Sequence, residues 1–272
     1  MTLSKNSPVG IFDSGIGGLT VVQSVMNALP GEDIIYFGDT ARVPYGIKST
    51  DTIRKYALQI THFLLKRNVK IILVACNSVA AAARNEIKKE CGSIPVLDVI
   101  EAGTQAAIRQ SGENRHIGVI GTLATIGSGA YETALAKLDK DIQVFSRACP
   151  LLVPLAEEGW HENHIADDVL REYLSDFKDK NLGAMILGCT HYPLFKNGIQ
   201  RVLGDQIEII DSAESIADMT KKHLDSTGMR NPQKEGGSFD CFVSDKPQRF
   251  KVLAERFLGQ KLNRVEIVNL KN

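Results

Sequence analysis

The sequence predicts an α/β protein built as two pseudo-symmetric, doubly wound lobes, with mainly parallel sheets and a cleft between the lobes. Three observations carry that expectation. Short apolar runs rich in β-branched residues alternate with longer amphipathic stretches along nearly the whole chain, as they do in parallel sheets whose strands are buried on both faces. The 272 residues exceed the roughly 100–150 of a common single domain, so two modest sheets suit the length better than one. One short pattern, an apolar run followed by a cysteine and two polar residues, occurs at Cys76 and again 113 positions later at Cys189.

Taken in order, the runs that read as strands are Pro8–Phe12, Asp33–Phe37, Lys70–Ala75, Ile94–Ile100, His116–Gly121, Ile142–Ser146, Gly183–Gly188 and Ile207–Asp211. None alternates strictly between polar and apolar residues, which argues for burial on both faces. Between them lie helical patterns. Ser49–Asn68 opens on capping residues and sets Ile53, Ala57, Ile60 and Leu64 on one face. An alanine-rich helix former follows Cys76, with Asn77 or Ser78 as its expected N-cap. The repeat divides the chain into a first lobe of residues 1–97 plus 210–272 and a second of residues 98–209.

Composition narrows the functions. Hydrophobic residues make up 43% and charged residues 24%, with 32 basic against 32 acidic side chains and zero formal net charge. Without a basic excess, nucleic acid loses its electrostatic attraction and is not an expected partner. No stretch reaches the roughly 20 apolar residues of a membrane helix, so no membrane association is expected. The start lacks the long apolar segment of a secretory signal. Five cysteines, an odd set with no close pair, suit a reducing compartment. A cytoplasmic protein is the expectation, and no metal site is read, since zinc favours close cysteine pairs, which are missing here, and the His161/His164 pair has no cysteine nearby.

The chemistry concentrates at strand ends. Cys76 precedes a helix, where the positive end of the dipole favours thiolate. Cys189 has the same setting, with Thr190 and His191 beside it and Pro193 where a helix would begin. Read alone, either cysteine is equally a small buried hydrophobe; the repetition is what favours chemistry. Cys91, Cys149 and Cys241 lack this setting and read as structural. The turn "FDSGIGG" (Phe12–Gly18) places Asp13 and Ser14 at the end of the first strand, where an acidic residue suits an ammonium group or a neighbouring thiol better than a phosphate. The loop "GDTARVPYG" offers Thr40, Arg42, Tyr45 and Gly46 to a small polar pocket. Glu157 and Glu158 in "VPLAEEGWHEN" read as an exposed acidic pair at a helix start.

Four motifs in register, "GIFDSGIGG", "YFGDTARVPYG", "VACNSVA" and "ILGCTHYPL", resemble the bacterial glutamate racemases of the cofactor-independent aspartate/glutamate racemase family, over nearly the full chain. The resemblance implies two α/β lobes around glutamate, inversion of its α-carbon with no cofactor, and a role in supplying D-glutamate for peptidoglycan. It implies that Cys76 and Cys189 act on opposite faces of the α-carbon, Cys76 on D-glutamate and Cys189 on L-glutamate. Asp13 and His191 would assist them, and Glu157 would be the auxiliary acid, with Glu158 as its rival. Asp13, Ser14, Tyr45, Gly46, Asn77, Ser78, Thr190 and His191 would contact substrate. The resemblance also implies a homodimer. Ser78 stands where the family usually has threonine, which keeps the hydroxyl; "VLDVIEAG" departs from the usual Gly and Pro at the lobe junction.

Other readings remain open on sequence alone. A related two-cysteine racemase would act on aspartate or another acidic amino acid. A cysteine hydrolase would need Cys189 and His191 but not Cys76, and a binding protein would need neither thiol.

Overall fold

In the computed structural model, residues 4–259, 261–262 and 264–270 are described, apart from the side chains of Pro247, Arg249 and Arg256. The outermost residues of the expected first lobe, 1–3 and 271–272, lie outside them. Strands and helices alternate as β1 (Val9–Asp13), α1 (Leu19–Ala28), β2 (Ile34–Gly38), α2 (Thr50–Leu65), β3 (Ile71–Val74), α3 (Asn77–Cys91) and β4 (Val96–Asp98). The chain continues through α4 (Val99–Gln110), β5 (His116–Gly121), α5 (Leu123–Gly127), α6 (Ala130–Leu138), β6 (Gln143–Ala148), α7 (Leu152–Glu157), α8 (His164–Leu174), β7 (Ala184–Gly188), α9 (Lys196–Leu203) and β8 (Glu208–Asp211). It ends with α10 (Ser212–Ser226), β9 (Phe239–Val243), α11 (Pro247–Leu258) and β10 (Val265–Ile267).

The strands form two all-parallel sheets, ordered β10-β9-β2-β1-β3-β4 and β6-β5-β7-β8. Both are doubly wound. In the first, β1 lies between β2 and β3; in the second, β5 and β7 are neighbours and the order runs outward from them. Open α/β sheets bind ligands at such reversal points, outside the carboxyl ends of the strands. Within the described residues no helix is long and apolar enough to cross a membrane.

Period-two alternation explains how the second sheet is buried twice over. Ile117 and Val119 of β5, with Ala184 and Ile186 of β7, join a core that runs on through the first sheet. Their neighbours Ile120, Met185 and Leu187 face the other way and pack with Leu170, Leu174 and Phe195 from α8 and the segment before α9.

Side-chain caps set several boundaries. Ser49 accepts a bond from Thr52 N–H and starts α2; Asn68, at φ 55°, lies beyond its end. The expected strand Ile94–Ile100 stops at Asp98, because the Asp98 carboxylate accepts from Glu101 N–H at 2.9 Å and turns Val99 and Ile100 into helix. Cys76 itself occupies the N-cap of α3, not Asn77 or Ser78. Both of those side chains are engaged elsewhere, Asn77 with Tyr131 and Ser78 with Thr122 and Thr125. Two strands escaped the sequence pattern: β9, broken by Asp240, and the three-residue β10. They extend the first sheet beyond β2.

Candidate active site

Parallel strands deliver their C-terminal ends to one edge, and the singled-out residues stand there. Asp13 closes β1, Cys76 follows β3 by two residues, and Cys189 comes directly after β7. A cleft of about 330 Å³ is lined by Ser14, Tyr45, Gly46, Asn77, Ser78 and Thr190 together with both cysteines, His191 and Glu157. All of these were expected from sequence. Asp13 lies behind the lining at 1% exposure; its Oδ2 accepts from Gly15 N–H at 2.9 Å, while Oδ1 has no hydrogen-bond partner among the described residues.

Both thiols are nearly closed off from bulk water, Cys76 at 5% and Cys189 at 6% exposure, but their surroundings differ. Burial and the Asp13 carboxylate push the Cys76 thiol up to about 12, against the pull of the Ser14 hydroxyl and the Val79 and Ser14 amides. The helix terminus therefore acts as expected through Val79 N–H, but desolvation outweighs it. Cys189 Sγ lies 3.8 Å from His191 Nδ1, and His191 Nε2 lies 3.3 Å from Glu157 Oε1. Burial lowers the His191 imidazole, yet Cys189 and Glu157 together overcome this and raise it to about 10. The imidazole lies between the Cys189 sulfur and the Glu157 carboxylate, both of which favour its protonated form.

Close approach of the lobes depends on glycine. A Cβ on Gly17 would stand 2.3 Å from Thr190 Oγ1 and 2.6 Å from His191 Nδ1. Thr20 Oγ1, at the start of α1, lies 2.9 Å from Gly17 O and 3.2 Å from Thr190 O and shares its proton between them. On the other side, Gly46 lies against Thr122, 2.9 Å from where its Cβ would be.

Some expectations need correction. Glu157 and Glu158 stand at the end of α7, not at a helix start; only Glu157 lines the cleft. Thr40 and Arg42 do not line it: Thr40 donates to Asp245 O, and Arg42 pairs with Asp39 at 2.7 Å. The Tyr45 hydroxyl also bonds Asp39, which anchors the loop beneath the cleft. Thr122 was missed. It caps α5 and bonds Ser78 Oγ at 3.0 Å. Its signal was available: it follows β5 at the same sheet edge as Cys189. Val43, Pro44, Ile47, Leu123, Val153 and Pro154 give the cleft an apolar rim that carries no motif. Cys91, Cys149 and Cys241 are buried away from the lining.

The described lining includes no lysine or arginine. Its polar side chains are hydroxyls, the Asn77 amide, the two thiols, the His191 imidazole and the Glu157 carboxylate. Two thiols, each with its own ionisable neighbour, thus reach one cleft from the strand ends of two parallel sheets.

Comparison with known proteins agrees. A family model described as Asp/Glu/Hydantoin racemase matches residues 17–220. A glutamate racemase of Syntrophus aciditrophicus is 47% identical over 98% of this chain and 100% of its own length. The crystal structure of Francisella tularensis glutamate racemase in complex with D-glutamate superposes with a TM-score of 0.92 at 43% identity, covering 98% of this chain and 99% of that one. For Bacillus anthracis glutamate racemase RacE1 the values are 0.93 and 36%, over 98% of both chains. The chain belongs to the Asp/Glu/hydantoin racemase family, among the glutamate racemases.

Proposed function

We propose that the protein interconverts L- and D-glutamate by moving protons between the α-carbon and two thiols, with no cofactor. The observation that carries this reading is that Cys76 and Cys189 reach one cleft from two different sheets. In the L-to-D direction the Cys189 thiolate removes the α-proton and the Cys76 thiol delivers its own proton to the opposite face. Cys76 is then a thiolate and Cys189 a thiol. The reverse reaction, or proton exchange with solvent, restores the starting state.

The environments suit these roles. The elevated Cys76 thiol is held as an acid, and the imidazolium of His191 supports negative charge on Cys189. Near-exclusion of water strengthens each charge interaction. Asp13 is placed to accept a proton from Cys76 when that thiol must act as base, and Glu157 keeps His191 charged. Ser14, Tyr45, Gly46, Asn77, Ser78 and Thr190 would hold the ammonium and the two carboxylates.

The division into lobes, 1–97 with 210–272 and 98–209, is supported by the two sheets, which exchange the chain near β4 and β8. A cytoplasmic setting is supported by five buried free thiols. A homodimer is supported by exposed apolar residues near the cleft mouth, with Ile47 at 71%, Leu151 at 54% and Leu123 at 52% exposure. Supply of D-glutamate for peptidoglycan is the role that fits the family.

Chiral separation of products tests the substrate. Purified, reduced protein should convert either glutamate enantiomer to a racemate and leave aspartate unchanged. Conversion of aspartate in place of glutamate would keep the two-thiol chemistry and replace the substrate.

A further inference from the structure

We infer that Tyr131 is a positioning residue of the cleft, fixing the Asn77 side-chain amide so that its NH2 group, not its oxygen, meets a carboxylate of the bound amino acid. The inference rests on the racemase reading above and deepens it.

Asn77 is the residue after Cys76 and opens α3. It is 3% exposed, yet it lines the cleft. Its two amide ends are treated differently. Oδ1 accepts a bond from the Tyr131 hydroxyl at 2.7 Å, within the protein. Nδ2 is buried with no hydrogen-bond partner among the described residues. Buried amide donors are seldom left unpaired, because the protein then loses a bond that water would have made. An oxygen arriving in the cleft supplies the missing partner.

An amide can rotate by half a turn and exchange its two ends at little steric cost, so something must choose between them. Tyr131 does. It lies on α6 in the second sheet's layer, is 1% exposed, and burial holds its phenol well above the ordinary range. The phenol therefore keeps its proton and has it to donate. The Ser212 hydroxyl, which also approaches the phenol, donates to Leu187 O at 3.0 Å, and the proton of the phenol goes to Asn77 Oδ1 at 2.7 Å. A phenol that donates selects the amide oxygen and turns the NH2 group the other way.

The choice matters because of what the cleft lacks. With no lysine or arginine in the described lining, and with the two ring nitrogens of His191 facing Cys189 and Glu157, a dicarboxylate depends on neutral donors such as the Asn77 amide. A flipped Asn77 would set an oxygen against an anion, replacing an attraction with a repulsion.

The test is steady-state kinetics with both glutamate enantiomers on wild type, Tyr131→Phe, Asn77→Ala and the double variant. Tyr131→Phe removes one hydroxyl from a buried ring. It should raise KM for both enantiomers by about tenfold, the scale of one hydrogen bond to a charged group, while kcat stays within about threefold. A merely structural loss would not divide in this way. In the Asn77→Ala background the same substitution should change KM little, because the amide it acts through is gone. Wild-type KM in Tyr131→Phe, or an undiminished effect on top of Asn77→Ala, overturns the inference while the racemase reading stands.

Asn77→Asp provides a test that does not depend on how Tyr131→Phe folds. It keeps an acceptor for Tyr131 but replaces Nδ2 with an anionic oxygen. Its KM should rise by roughly a hundredfold, as expected when a donor to a carboxylate becomes a like charge. Unchanged KM in Asn77→Asp overturns the inference. No turnover of glutamate by wild type would overturn the racemase reading and this inference with it.

Discussion

Cys189 Sγ lies 3.8 Å from His191 Nδ1, and this contact makes the two thiols of the cleft unlike. Cys189 has an imidazole raised to about 10 beside it, whereas the charged neighbour of Cys76 is the Asp13 carboxylate. A racemase has an equilibrium constant of one, so its two directions must share the same kcat/KM at every pH. The asymmetry is therefore expected in the resting enzyme and its reactivity, not in the ratio of specificity constants.

Thiol alkylation followed by peptide mass spectrometry reads that resting state. Cys76, held near 12, should label slowly at pH 7 and keep accelerating to pH 10 without a plateau. Cys189 should label faster in wild type than in His191→Ala at pH 7. Equal rates for Cys189 with and without the imidazole would show that His191 does not support its thiolate.

Glu157 stands on the far side of His191, at 3.3 Å, whereas Glu158 lies outside the lining. Glu157→Gln should lower kcat by roughly tenfold, within the range of a supporting acid–base group, and Glu158→Gln should leave it near wild type. Measuring kcat for the pair decides which residue is the auxiliary acid, and equal losses would deny the role to both.

Gly17 permits the contact between the first turn and the second lobe. Gly17→Ala places a Cβ 2.3 Å from Thr190 Oγ1, so Thr190 and His191 must shift. Displacement near 1 Å at a reacting centre costs about a hundredfold in rate, and that loss is expected in kcat/KM. A fully active Gly17→Ala would mean that the lobes stand farther apart in solution.

Alkaline stability follows from the buried thiols. Cys76, Cys149 and Cys241 are raised to about 12 and Cys91 to about 11, mainly by burial. In the unfolded chain they ionise near about 8.5. Their contribution is fully present below that value and is lost as pH rises through the folded values, because the unfolded state releases protons first. The urea midpoint should fall steadily from pH 8 to 10, and the fall should be shallower in Cys241→Ala. An identical slope in that variant would contradict the assignment for Cys241.

The parts of this molecule legible in sequence are those that local chemistry dictates. Eight β-branched runs became strands, and both cysteines stand at strand ends, because parallel strands advertise burial and end at the ligand-binding edge. Tertiary choices were hidden. Asp98 ended β4 early because its carboxylate caps α4. Asn77 and Ser78 failed to cap α3 because Tyr131 and Thr122, more than 40 residues away in sequence, claimed their side chains. The elevation of Cys76 was also hidden, since sequence shows the helix start but not the burial and the Asp13 charge that override it. The apolar rim carries no motif, because Val43, Leu123 and Pro154 meet only when the two sheets do.

The most direct measurement is proton NMR in D₂O with L- or D-glutamate and no added cofactor, on wild type, Cys76→Ala and Cys189→Ala. Two-thiol racemisation predicts the opposite enantiomer with deuterium at its α-carbon in wild type, and loss of at least about a hundredfold in each variant. Racemisation that survives removal of either cysteine would contradict the account.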